Sequence, residues 1–121
     1  MPARAHVPSV ELQTVEFVQM ASEASGSHAA RLRCHGFRVS LEYETELSVP
    51  GVGNLEGVLV ITDVYVPVRY RRRGWFTAYL KLCWLLVDQA LFVDDVHGAV
   101  RDALLGYGFV AVPGNAMMLR K

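Results

Sequence analysis

Four arginines stand within five positions beside one glycine, in the run Arg69-Tyr70-Arg71-Arg72-Arg73-Gly74. The apolar segment Asp63-Val64-Tyr65-Val66 precedes them through Pro67, and a strongly apolar stretch opens at Trp75-Phe76. A strand that turns at once into a helix leaves backbone N–H groups without intrahelical partners, and such groups hold anions. Arginines beside them suit phosphate, because a planar guanidinium offers paired donors. Asp63 is a carboxylate in an otherwise apolar strand, and Tyr65 shares its strand face by the two-residue period. A buried carboxylate there is suited to serve as a general base, directly or through water, and the alternative is a hydrogen-bonded structural carboxylate at a strand end. These residues together point to a phosphate-bearing ligand with proton transfer next to it.

The elements that position these groups follow from periodicity. Residues 1–8 carry no clear pattern and read as a short strand or a loose arm. From Ser9 to about Ala24, Leu12, Val15, Val18 and Ala21 recur every three positions, and Ser9 can cap a helix. Residues 29–34 and 37–48 read as antiparallel strands joined at His35-Gly36. In the second, Leu41, Tyr43, Thr45 and Leu47 alternate with Glu42, Glu44 and Glu46. Residues 50–54 form a loop, and the β-branched run 57–66 reads as a strand buried on both faces. A helix over 75–88 is apolar except for a stripe of Thr77, Lys81 and Asp88, on which Trp84 also falls. Residues 90–93 are a short buried strand. Asp94-Asp95 caps a helix whose apolar face is Val96, Val100, Ala103 and Leu104, and Gly106-Tyr107-Gly108 ends it. Two strands close the chain at 109–112 and 116–119. The order helix, three strands, helix, strand, helix, two strands predicts an α/β (α+β) layered fold with a meander first and a β–α–β crossover second.

From the central segment onward the chain resembles the GNAT superfamily of acyl-CoA N-acyltransferases. Three blocks carry the likeness: Asp63-Val64-Tyr65-Val66, Tyr70-Arg71-Arg72-Arg73-Gly74-Trp75-Phe76, and Ala103-Leu104-Leu105-Gly106-Tyr107-Gly108-Phe109. The first two look like the family's strand and phosphate-loop motif, Arg/Gln-x-x-Gly-x-Gly/Ala, and the third resembles its terminal helix-Gly-Phe-strand signature. The resemblance implies a mixed, mostly antiparallel sheet flanked by helices, formed by one domain over residues 1–121. It also implies acetyl-CoA as cosubstrate, its pyrophosphate on the backbone of residues 71–76 with Gly74 permitting close approach. Arg71 takes the family's Arg/Gln position, with Arg69, Arg72 and Arg73 neutralising phosphate, while Val64 to Val66 pair with the pantetheine arm and polarise the thioester carbonyl. Four positions depart from the pattern. Phe76 stands at a usual Gly or Ala, Val68 at a usual proline, Leu104 at a frequent tyrosine, and His97 at a common asparagine.

Composition sets the outer bounds. The 121 residues are 52% hydrophobic and 20% charged, which excludes a disordered chain and suits one domain. Twelve basic residues balance twelve acidic ones, so a globally basic nucleic-acid binder is not indicated. Cys34 and Cys83 lack metal-ligand spacing and read as reduced thiols, with no metal site expected. The apolar run 74–87 holds Lys81 and is too short to span a bilayer, and no signal-like segment opens the chain, so a cytoplasmic protein without membrane contact is expected. Cys83 reads as core and His97, four residues before Arg101, as a surface histidine. Trp84 on a polar stripe suggests a homodimer or a protein partner, unless the N-terminal helix covers it. The leading functional reading is transfer of an acetyl group from acetyl-CoA to a primary amine, on a small molecule or a protein, by direct attack. A catalytically inactive GNAT-fold protein that binds a protein partner is the second reading, and a small nucleic-acid-binding domain the third.

Overall fold

The computed structural model describes residues 9–96 and 98–121, so the N-terminal arm and His97 lie outside the described residues. The elements are α1 (Val10–Glu23), β1 (Ser27–Cys34), β2 (Phe37–Val49), β3 (Gly53–Tyr65), α2 (Trp75–Leu86), β4 (Ala90–Val93), α3 (Gly98–Gly106), β5 (Val110–Val112) and β6 (Ala116–Arg120), with a single 3-10 turn at Val68–Tyr70. Their order is the one predicted. Among the described residues one six-stranded sheet runs β1-β2-β3-β4-β6-β5, in which only β3 and β4 pair in parallel.

Ser9 caps α1 as expected, its hydroxyl accepting from the Leu12 N–H at 3.2 Å. The buried face of α1, however, is Val10, Thr14, Phe17, Val18 and Ala21, while Leu12 is 48% exposed. A strict three-residue spacing drifts around a helix of 3.6 residues per turn, so Leu12 rotates off the face that Val18 and Ala21 occupy. The β1–β2 turn falls on His35-Gly36, both at positive φ (50° and 85°), a conformation that suits a two-residue hairpin turn. The β2–β3 hairpin is longer than predicted and closes at residues 50–52.

The larger core forms on the sheet face that the helices cover. It joins Val39, Leu41, Tyr43, Leu59, Ile61, Leu91, Val93 and Met117 to Phe17 and Val18 of α1, Tyr79, Leu80 and Cys83 of α2, and Leu104 of α3. The other face holds a smaller cluster of Val49, Leu55, Val58, Ala90, Phe92 and Met118, into which no helix residue enters among the described residues. The helix α3 begins later than predicted, and Leu104 is its one buried residue. Val100 and Ala103 face outward, because Val96, buried ahead of the helix, anchors the segment instead. Trp84 is half-buried against the main core beneath Lys121, whose Nζ lies 5.1 Å from the ring centroid; Leu85 is the large hydrophobic that α2 exposes, at 76%. Cys34 and Cys83 are buried and form no disulfide. No helix among the described residues is long and apolar enough to cross a membrane.

Candidate functional site

The parallel strands β3 and β4 stay in register from Val58↔Ala90 to Ile61↔Val93, and then β4 stops. The Asp94 N–H donates to the Ile61 carbonyl at 2.9 Å, closing the ladder, while β3 runs on to Tyr65. Residues 62–65 therefore present one edge without a strand beside it. The break coincides with an irregularity in the β2–β3 pairing. Leu41 pairs with Ile61 and Ser40 with Asp63, so Thr62 is the extra residue of a bulge, its hydroxyl donating to the Ser40 carbonyl at 3.1 Å. A bulge leaves a ladder position unpaired and bends its strand, here at the point where two strands part.

The gap is a cleft of about 540 Å³. Thr62, Asp63, Val64, Tyr65 and Val66 form one wall and Val93, Asp94, Asp95 and Val96 the other, with Val100, Arg71 and Phe76 closing the ends. A second cavity of about 290 Å³ lies over the start of α2, lined by Val66, Tyr70, Arg71, Arg72, Gly74, Trp75, Phe76 and Thr77. Val66, Arg71 and Phe76 line both, so the two cavities adjoin.

The turn feeding α2 is shaped for an anion. Gly74 precedes the first helical residue in the left-handed region (φ 78°, ψ 10°) and contributes no side-chain cap. The first-turn N–H groups of Trp75, Phe76 and Thr77 are thus open to a ligand, at the positive end of the helix dipole. A Cβ on Gly74 would meet no atom within 4 Å, so the glycine serves the backbone angle and the approach of whatever occupies the second cavity. Arg72 also adopts positive φ, 61°, which turns the loop back over the helix start.

The predicted site residues separate into groups. Val64, Val66, Arg71, Arg72, Gly74, Trp75, Phe76, Asp63 and Tyr65 line one or both cavities; Arg69 and Arg73 line neither. The Arg69 guanidinium lies 5.0 Å from the Tyr70 ring centroid. The Trp75 ring points into the protein, stacked on Tyr79 at 4.9 Å and tilted against Phe37 at 4.8 Å, which leaves its backbone as its contribution to the second cavity. Arg71 folds back so that its Nε donates to the Val66 carbonyl at 2.8 Å, a carbonyl thereby occupied before any ligand arrives. Asp63 lies exposed at the cleft wall rather than buried as expected, because after the bulge it pairs with Ser40 on the open sheet face while Val64 keeps the core side. Tyr65 is 37% exposed and held between two cations, Arg38 at 4.6 Å and Arg71 at 5.3 Å from its ring centroid.

Tyr107 stands outside the cleft, its hydroxyl hydrogen-bonded to that of Thr77 at 2.8 Å, and Leu104 is fully buried. Tyr65 is therefore the tyrosine that the described residues bring to the cleft. Sequence reasoning missed the far wall. Asp94-Asp95 read as a helix cap, yet both line the cleft, and Asp95 adopts φ 52°. A doubled aspartate after a buried strand was the available signal. Cys83 behaves as core: burial pushes its thiol up to about 12, which leaves no reactive thiolate near neutral pH. No group of three metal-ligating side chains occurs among the described residues.

The fold is GNAT-like, a six-stranded, mostly antiparallel sheet flanked by helices. No protein-family model and no curated protein sequence matches the chain. Among solved structures, a Tyr-to-Phe mutant of the toxin AtaT, bound to the C-terminus of the antitoxin AtaR and acetyl-CoA, superposes with a TM-score of 0.56 at 14% identity. That match covers 70% of this chain and 58% of the AtaT chain, so here the chain spans less than two thirds of its relative. A mutant of KacT matches with a TM-score of 0.53 at 12% identity over 95% of this chain and 84% of that one. A "putative acetyltransferase" from Agrobacterium tumefaciens matches with a TM-score of 0.53 at 12% identity over 100% and 99%. At such identities the likeness is one of fold.

Proposed function

We propose that this chain is a GNAT-type N-acyltransferase that moves an acetyl group from acetyl-CoA to a primary amine by direct attack. The observation that carries the proposal is the adjoining of two cavities through Val66, Arg71 and Phe76, one over an open helix start and one along an unpaired strand edge. Pyrophosphate suits the first, where N–H groups at residues 74–77 and the Arg72 guanidinium meet. A pantetheine arm suits the second, where the edge of β3 offers backbone donors and acceptors to an extended chain. The acetyl-CoA bound to AtaT in the first of these relatives supports the same choice of ligand.

The chemistry then falls on the residues around the bulge. Nitrogen attacks the thioester carbonyl carbon, the C–S bond breaks, and the thiolate leaves with a proton. An amine at neutral pH must first lose a proton, and Asp63, at the cleft wall and open to water, accepts it through a bridging water. Asp94 and Asp95 face it across the cleft and favour a cationic amine electrostatically. Backbone N–H groups on the β3 edge near the bulge polarise the carbonyl. Tyr65 returns a proton to the thiolate, the role left open by Leu104. Thiol release from acetyl-CoA with a panel of primary amines tests the proposal. Turnover with any of them supports it, and silence with all of them while acetyl-CoA binds favours the second reading.

That reading, a GNAT-fold protein that binds acyl-CoA and a protein partner without turnover, rests on Leu104, whose complete burial leaves α3 without a tyrosine at the cleft. The antitoxin bound to AtaT supports a protein partner of this kind.

A further inference from the structure

A second groove, of about 610 Å³, opens on the sheet face that no helix among the described residues covers, and it shares Thr62 and Asp63 with the cleft described above. Its make-up follows from the strand register. Arg33 pairs with Arg38 and Arg38 with Tyr65, forming one row across β1, β2 and β3; Arg31 pairs with Ser40 and Ser40 with Asp63, forming the next. Residues two apart on a strand share a face, so Arg31, Arg33, Arg38, Asp63 and Tyr65 all project from the open side. Arg31, Arg33, Arg38, Ser40, Glu42 and Asp63 line the groove.

The first row is unusual. Two arginines directly opposite each other on neighbouring strands repel, a pairing that costs sheet stability. No carboxylate among the described residues pairs with Arg31 or Arg33, and the Arg38 guanidinium lies over the face of Tyr65. An anion between Arg33 and Arg38 turns this repulsion into two charge-assisted interactions. The second row supplies the opposite sign at Asp63, one row along (about 7 Å by the rise of two strand residues) and one strand across (about 5 Å) from Arg38.

We infer that this groove is the acceptor site and that it selects a small amine carrying an anionic group, a carboxylate or a phosphate monoester, a few bonds from its nitrogen. The anion lies on Arg33 and Arg38, and the ammonium lies on Asp63, at the wall shared with the thioester cleft. Acyl donor and acceptor thus approach from opposite sides of the sheet. The groove has the volume of a small-molecule site, and Glu42 and Asp63 repel the continuous negative charge of a nucleic-acid backbone. The acceptor role rests on the acyl-transfer reading; the anion site does not.

Calorimetric titration of the chain without acetyl-CoA tests it, using phosphoethanolamine, β-alanine and ethanolamine. The anionic amines bind at least about tenfold more tightly than ethanolamine, and the stronger of the two identifies phosphate or carboxylate as the preferred group. Arg33→Gln and Arg38→Gln each abolish that preference, and Lys81→Gln on α2 retains it. Arg33→Gln keeps or raises the thermal midpoint, since it relieves a like-charge pair, which separates lost binding from lost folding. Equal binding of all three amines, absence of binding, or a preference that survives both arginine substitutions overturns the inference. Failure of acetyl-CoA to bind the same sample removes the acyl-transfer reading and leaves an observed amine preference standing.

Discussion

Arg71 Nε and the Val66 carbonyl lie 2.8 Å apart, so the loop that precedes α2 is tied to the end of the strand that walls the cleft. One guanidinium thereby links the cavity suited to phosphate and the cavity suited to a thioester arm, while its remaining N–H groups face the space between them. Lysine cannot reproduce this geometry, because an ammonium lacks the fixed fork. Arg71→Lys is expected to weaken acetyl-CoA binding by about tenfold or more, read by calorimetry, with a modest loss of thermal midpoint.

Gly74 tests the phosphate cavity apart from the arginine. Its φ of 78° costs a side-chain-bearing residue about 1 kcal/mol, and no neighbouring atom obstructs a Cβ. Gly74→Val should therefore fold with a small stability loss but bind acetyl-CoA far less well, because the new side chain occupies the anion's approach. Equal affinity for the two proteins would remove Gly74 from the cofactor site.

Gly57 makes the opposite case. It sits at φ 62° where the α2–β4 connection crosses β3, and a Cβ there would lie 2.4 Å from the Asp88 Cβ. The Asp88 N–H also donates to the Gly57 carbonyl at 2.9 Å, so neither backbone can retreat cheaply. Gly57→Ala should cost at least about 2 kcal/mol in urea unfolding. Acetyl-CoA affinity of the folded fraction should stay unchanged, since the cleft lies at the other end of β3.

Alkaline pH should destabilise the protein through its core. Burial raises the Cys83 thiol to about 12 from an ordinary value of 9.0, and it raises the Tyr79 and Tyr43 hydroxyls as well. Each group stays protonated in the folded chain at a pH where the unfolded chain releases its proton. The stabilisation is complete below pH 9 and is lost as pH rises toward 12. By pH 10.5 the cost from Cys83 alone is on the order of 2 kcal/mol, seen as a lower urea midpoint than at pH 7.5, and Cys83→Ala should flatten the dependence.

For the chemistry, Asp63→Asn and Tyr65→Phe separate two roles. Loss of Asp63 should lower the turnover rate at neutral pH and restore part of it as pH rises, because alkali deprotonates the amine without help. Tyr65→Phe keeps the ring that Arg38 and Arg71 flank, so acetyl-CoA affinity should hold while turnover falls. Full rate in the Asp63 variant, measured by thiol release, would remove that residue as the proton acceptor.

Much of this was legible from residue types. The element order, the His35-Gly36 turn, the buried strand at 90–93 and the glycine-led turn into α2 all follow from local pattern and turn chemistry. What was hidden depends on pairing. Thr62 looks like any β-branched strand residue, and only the register with Ser40 and Leu41 makes it a bulge. Asp63 reads as buried because its neighbours are apolar, yet the register shift at Thr62 turns it to the open sheet face and leaves the core side to Val64. Trp75 reads as a ligand contact from its place in the motif, but Phe37 on a distant hairpin claims its ring. Asp94 and Asp95 become cleft residues only because β4 ends before β3 does.

The central claim is that the adjoining cavities at Val66, Arg71 and Phe76 hold acetyl-CoA. Titration calorimetry with acetyl-CoA tests it most directly. Saturable binding at micromolar concentration, weakened about tenfold or more in both Arg71→Lys and Gly74→Val, is the predicted result. Absence of binding at ~1 mM acetyl-CoA, or binding indifferent to both substitutions, would contradict it.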